Sequence, residues 1–384
     1  MVPYKKILTL LLPLSFFFAW FDGLSFGIGF RNVTISATAS FVFVLIWLPF
    51  VLYKGCLSLR RGDQVYTLYI IAIVTTIALS ILLNGTGLDT LGRYSTIISY
   101  LAFTFAFFDT VSSDKTLNLI SKFIIYAVIV ASIYVVYIYF TSNNYSDRMY
   151  GLISTDNPNY AANRLLVGVL FSLIVAINSG DSLAWSAFFL GSVALILAGS
   201  GGAMFALILT TILYIFVNLK SLKNTLLGLV AIALLGSAVA YEGTIPNRLI
   251  GGIEQVRGHE VTGPASSIAI RMQLDSIAIL MFQNNPISGI GFGRWRNEAP
   301  YYGTDLVSHN SHLLAAAEMG ILSLSFYLFY AYIISAKPIS TISIAAKWGF
   351  IGCLIHMAAL GGYTPKVAFL MSLIVIKSIS LNEK

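Results

Sequence analysis

Twelve apolar runs succeed one another along this sequence, at about 6–22, 34–53, 65–83, 94–109, 118–141, 160–178, 183–199, 202–218, 224–241, 311–335, 342–360 and 364–380. A helix needs about 20 apolar residues to cross the hydrocarbon layer of a bilayer, where a backbone must satisfy its own N–H and C=O groups. The pattern therefore predicts an all-α polytopic membrane protein with about twelve transmembrane helices and both termini on one side. Composition agrees: the 384 residues are 57% apolar and 10% charged, with a mean hydropathy of +0.83. A soluble domain carries about a quarter charged residues. Lys5 and Lys6 ahead of the first run imitate a secretory signal. No small-residue cleavage site follows in Phe18-Ala19-Trp20-Phe21-Asp22, so this run is expected to remain as a helix.

The excess of 23 basic over 16 acidic residues lies mostly between the runs, where it signals topology rather than nucleic-acid binding. With the N-terminus inside, thirteen Lys and Arg fall on inner loops and five on short outer loops, a positive-inside bias that predicts cytoplasmic termini. The two sides also differ in residue type. Nine of the ten outer basic residues are Arg, whereas eleven of the thirteen inner ones are Lys. Guanidinium grips phosphate with a planar fork of donors, while ammonium is a hydrated point charge. The outer surface therefore suggests an anionic, phosphorylated ligand; the plainer alternative is a set of solvated loop charges. Two cysteines, Cys56 and Cys353, support neither a disulfide framework nor a thiolate metal site.

One loop is long. It divides the chain into a membrane region 1–241, an outer catalytic loop 242–310 and a second membrane region 311–384. Within it, residues 268–282 place Ile270, Leu274, Ile277 and Met281 on one stripe and Arg271, Gln273 and Asp275 elsewhere. That is an amphipathic helix, expected to lie along the outer membrane surface. Asn284-Asn285-Pro286 ends it, and Gly289, Gly291 and Gly293 turn the chain into Arg294-Trp295-Arg296. Arg271 is a candidate anion ligand, with a local ion pair to Asp275 as its alternative. His309 closes the loop in Ser308-His309-Asn310, and an imidazole suits proton transfer near neutrality. His312, one turn on, reads as a packing and hydrogen-bonding residue. Glu318 is costly in lipid, so it is expected to face the interior, orienting loop residues or pinning helices. Trp295, Tyr301 and Tyr302 offer ring faces suited to sugars. Four His without matching carboxylates make no metal site, and the glycine run lacks the preceding strand of a dinucleotide fingerprint.

Several of these pieces, read in order, resemble one family. Arg271, Met281-Phe282-x-x-Asn285-Pro286-x-x-Gly289-x-Gly291-x-Gly293, His309-Asn310-x-x-Leu313 and Glu318-Met319-Gly320 are similar to the core of the O-antigen ligase and O-antigen polymerase superfamily. So are Asp156-Asn157-Pro158-Asn159 and the turn Gly199-Ser200-Gly201-Gly202. The resemblance implies an inverting glycosyltransferase of the GT-C type in the bacterial inner membrane, with a periplasmic site and no metal or other cofactor. Its donor would be a glycan on undecaprenyl diphosphate, and its acceptor a second lipid-linked glycan or lipid A core. A chain-length regulator is a further candidate partner, and nucleic acid is not one. In the family an Arg of the loop helix binds the donor diphosphate and the loop-end His serves the acceptor hydroxyl as general base or orienting group. Arg271 and His309 stand at those positions. Asn310, Glu318, Trp295 and Arg296 complete the expected substrate-binding set. A family Arg that follows Ser in the turn between spans seven and eight is Gly201 here, and Arg164, Arg93 or Arg294 is expected to supply the missing charge.

Within this chemistry a polymerase is expected over a ligase, because the chain is short and carries no extra soluble acceptor domain. A transporter would show repeat symmetry and charge at mid-bilayer, whereas the polar residues here gather in one outer loop. A peptidoglycan-polymerising transferase would rest on an outer-loop acid such as Glu254, Glu260 or Asp305.

Overall fold

The computed structural model describes residues 2–21, 25–28, 31–55, 57, 59–141, 158–218, 266–358 and 366–382. Its helices are α1 Val2–Ala19, α2 Ile35–Lys54, α3 Arg61–Asn84, α4 Thr90–Thr110, α5 Asp114–Thr141, α6 Pro158–Ser179, α7 Ser182–Leu197 and α8 Gly201–Val217. After the undescribed part of the long loop come α9 Ser266–Asn284, α10 Trp295–Glu298, α11 Ser311–Met319, α12 Leu324–Ser335, α13 Thr341–Met357 and α14 Lys366–Asn382. The one departure from an all-α chain among these residues is an antiparallel hairpin of Ser25–Ile28 with Arg31–Thr34. Eleven of the twelve apolar runs fall on helices; the ninth, at 224–241, lies outside the described residues. Five helical stretches are long and apolar enough to cross a membrane, among them α2, α3 and α5.

The run 311–335 differs from its expected form as one straight span. Gly320 takes φ +57°, and a 3₁₀ turn at Gly320–Ser323 separates α11 from α12. The rings of His312 and Tyr330 then lie 6.2 Å apart, and the Tyr327 hydroxyl donates to the His312 carbonyl at 2.8 Å. Eighteen residues of straight helix would put those rings about 27 Å apart. The run therefore folds back on itself, and hydropathy does not reveal it because both halves are apolar. A side chain at Gly320 would meet the Pro286 carbonyl at 2.6 Å, so the break depends on glycine.

Helix α6 is the centre of the bundle. Its residues are buried on every side, clasped by α13, α7, α8 and α5, as expected of a helix that is apolar all round. Charges collect at the two ends of α3. At its start, Lys377 of α14 donates to Asp63 at 2.7 Å and to the Phe108 carbonyl at 2.9 Å, while Ser380 donates to the other Asp63 oxygen. Nearby, Lys54 and the Trp47 indole both donate to Asp109. At its far end Asn84 meets the long loop. The 24 residues of α3 separate these ends by about 36 Å. Lys54 and Lys377 thus lie by the start of α3 and Arg294, bonded to the Asn84 carbonyl, by its far end.

Candidate active site

The segment 285–295 is stitched to three helices before any functional group is reached. Both oxygens of the Glu318 carboxylate accept backbone N–H groups, from Gly293 at 2.8 Å and Trp295 at 2.9 Å. Arg93 of α4 adds an ion pair at 3.4 Å to the same group, which is fully buried. Ile290 and Gly291 donate to the carbonyls of Ala317 and Glu318. Phe292 donates to Ser80 and accepts from Thr90, and Ser288 pairs with Asn84. Gly289, at φ +65°, lies so close to the Glu318 backbone that a side chain there would collide with it. The loop is thereby fixed at the C-terminal end of α11.

From this anchor α9 runs back along α11. Leu274, Ile277, Ala278 and Met281 are buried in that packing, so the apolar stripe read from the sequence faces protein. The stripe thus packs on the helix bundle. Ile270 is 39% exposed, and Met272, Ile279 and Leu280 lie exposed on the remaining surface of α9.

At the N-terminal end of α11 the loop residues meet α9. The Asn310 side-chain oxygen Oδ1 caps the helix, accepting from the backbone N–H groups of His312 and Leu313, and the same side chain bonds Asp275. Burial pushes the Asp275 carboxyl above the usual range, and the Asn310 bond and the Arg271 charge offset part of that. His309 is half-buried one residue before the cap. Burial chiefly, and the Arg271 guanidinium second, hold its imidazole below the ordinary histidine value. His312 donates through Nε2 to the Leu354 carbonyl at 3.0 Å and packs between Tyr327 and Tyr330, a structural role as the sequence suggested.

The outer end of α6 forms the opposite wall. Ser200, which caps α8, donates to Asn159 at 3.1 Å, joining the two shorter motifs that were singled out with the loop. One turn deeper Asn163 accepts from His356 Nδ1 at 2.9 Å and bonds Cys353, and the charge of Arg271 acts on His356 as well. Neither Asn163 nor His356 was picked out from the sequence. A histidine inside an apolar run, too polar for lipid, was the available signal.

The structure thus gathers Arg271, Asp275, His309 and Asn310. It places Arg93, Arg294 and Arg296 apart, at the other end of α11. Arg93 bridges Asp89 and Glu318; Arg294 binds the Asn84 carbonyl and Glu298; Arg296 pairs with Asp89. Trp295, expected to face a sugar, is 1% exposed with its indole donating to Leu306, so the exposed aromatic here is Tyr301. At Gly201 a side chain would meet nothing within 4 Å. Among the described residues no three His, Cys, Asp or Glu side chains come together as a metal site requires.

Residues 186–328 match the family model described as O-antigen ligase. The match spans α7 to the start of α12 and contains Arg271, His309 and Glu318, so it bears out the resemblance carried by the ordered motifs. Over that stretch the chain is similar to the O-antigen ligase and polymerase superfamily. No curated protein matches the chain.

Proposed function

We propose, from that similarity and from the meeting of Arg271 with His309, that the chain is a bacterial inner-membrane glycosyltransferase. It moves a glycan from undecaprenyl diphosphate to a sugar hydroxyl at the periplasmic face. The observation that carries this reading is that Arg271 of the loop helix and the half-buried His309 lie within electrostatic reach of each other where α9 packs on α11. As the glycosidic bond breaks, the diphosphate gains negative charge, and Arg271 stabilises it in place. His309 takes the proton of the attacking hydroxyl, which approaches the anomeric carbon from the side opposite the leaving group. Asn310 and Asp275 hold the two walls in register. Glu318 acts through the loop as a positioning residue. An apolar pocket lined by Ile73, Tyr100, Phe326, Tyr330, Leu354 and Phe369 suits the prenyl chain. One of its lining residues, Leu354, accepts the hydrogen bond of His312 at the start of α11.

Polymerase is the first reading within this chemistry, and ligase the second, favoured by the description of the matched family. Purified protein incubated with a lipid-linked repeat unit, with and without lipid A core, decides between them. Chains that lengthen without added core identify a polymerase; transfer to core alone identifies a ligase; no transfer in either mixture refutes the proposal.

Two further results are expected. Because the His309 base form is required and its pKa lies below 6.5, kcat/KM should hold as pH falls and decline only below that value. A bound diphosphate offsets the Arg271 charge, so the acid limb of kcat should lie at higher pH than that of kcat/KM. Arg164 lies on α6, the helix whose Asn159 pairs with Ser200 beside Gly201, and is the candidate for the charge missing there. Arg164→Ala should lower transfer about tenfold or more, as loss of a charged contact does. Gly201→Arg, which the open space around Gly201 admits, should restore part of it, measured as polysaccharide banding on gels.

A further inference from the structure

Behind the paired walls one buried group has an unused valence. His356, in the last turn of α13, is 1% exposed. Its Nδ1 lies 2.9 Å from the Asn163 carbonyl oxygen, which can only accept, so Nδ1 carries the proton and Nε2 presents a lone pair. Asn163 is itself 1% exposed and held in that orientation by its amide bond to Cys353 at 3.3 Å. Among the described residues Nε2 has no hydrogen-bond partner. An unfilled buried acceptor is destabilising, and in a native structure it calls for an explanation. The last turn of α13 is tied to the start of α11 through Leu354 and His312, and there Asn310 bonds Asp275, one helical turn from the donor-rich Arg271.

We propose that His356 is a positioning residue for Arg271: when an anionic ligand draws the guanidinium inward, Nε2 of the Asn163-held imidazole accepts one of its N–H groups. A guanidinium carries five donors in a rigid fork, and a phosphate takes two of them along one edge. An acceptor on another edge stops the fork from swivelling. A neutral imidazole does this without cancelling the charge that the phosphate needs, as a carboxylate would. The inference rests on the reading of Arg271 as the diphosphate ligand and adds the group that aims it.

The test uses the full chain in detergent, with geranyl diphosphate as the probe and calorimetry as the readout. His356→Leu should weaken binding about tenfold, the loss of one hydrogen bond to a charged group. His356→Gln, whose amide oxygen replaces the lone pair, should stay within about threefold. In an Arg271→Ala background, His356→Leu should have no further effect. Unchanged affinity in His356→Leu, or an equal loss in both backgrounds, overturns the positioning role. Should His356→Leu fail to fold, Asn163→Ala, which releases the imidazole, must show the same Arg271-dependent loss, and its absence overturns the role as well. If Arg271→Ala binds the probe as tightly as the unaltered chain, the reading of Arg271 falls and the positioning role with it. A weakened Arg271→Ala beside a normal His356→Leu sinks the positioning role alone.

Discussion

Replacing His309 with alanine is expected to lower glycan transfer by about 10²–10⁴-fold, the range by which a positioned general base accelerates proton transfer. The amount of protein in the membrane should not change. His309 is half-buried, and its backbone precedes rather than forms the Asn310 cap that holds the start of α11. Removing an imidazole there deletes a reacting group without opening the core. Binding of a diphosphate probe should survive, because Arg271 remains. Full transfer activity in His309→Ala, read as the banding of surface polysaccharide, would discard its role as base. His312→Ala should behave differently. It removes a bond to Leu354 and a ring between two tyrosines, so its effect should appear as lowered stability.

Glu318→Ala should lower stability by about 3–5 kcal/mol, because it leaves two buried backbone donors without their acceptor and takes from Arg93 one of its two carboxylates. Thermal unfolding in detergent measures this. Arg93→Ala should cost less, since the Arg93 side chain is 26% exposed and water can take over part of its role. Glu318→Gln, which keeps the shape but accepts through one oxygen, should fall between the two. Activity should drop along with stability. The loop fastened by Glu318 is the anchor from which α9 runs back toward Arg271, so releasing it shifts the guanidinium from the imidazole. A stable Glu318→Ala protein with normal transfer would show that the loop needs no such anchor.

Much of this was legible in the residues. Hydropathy marked twelve of the described helices in eleven runs, because an apolar run in lipid has no alternative to helix. Arg271, His309 and Glu318 marked segments that the structure packs together as α9, the loop end and α11. Three features were not legible. The fold-back at Gly320 was hidden since both sides of it are apolar. The burial of Trp295 followed from how segment 285–295 is tied down, which depends on contacts with α3 and α4 more than 200 positions away. The Asn163–His356 pair joins helices 193 residues apart, and periodicity within either helix carries no information about the other.

The ionic clasp at the start of α3 bears on how the molecule is made. Asp63 enters among the first helices, yet the ammonium that neutralises it belongs to α14, 314 residues later. Until α14 packs against α3, that buried carboxylate lacks its counter-charge, so the two helices depend on each other across most of the described sequence.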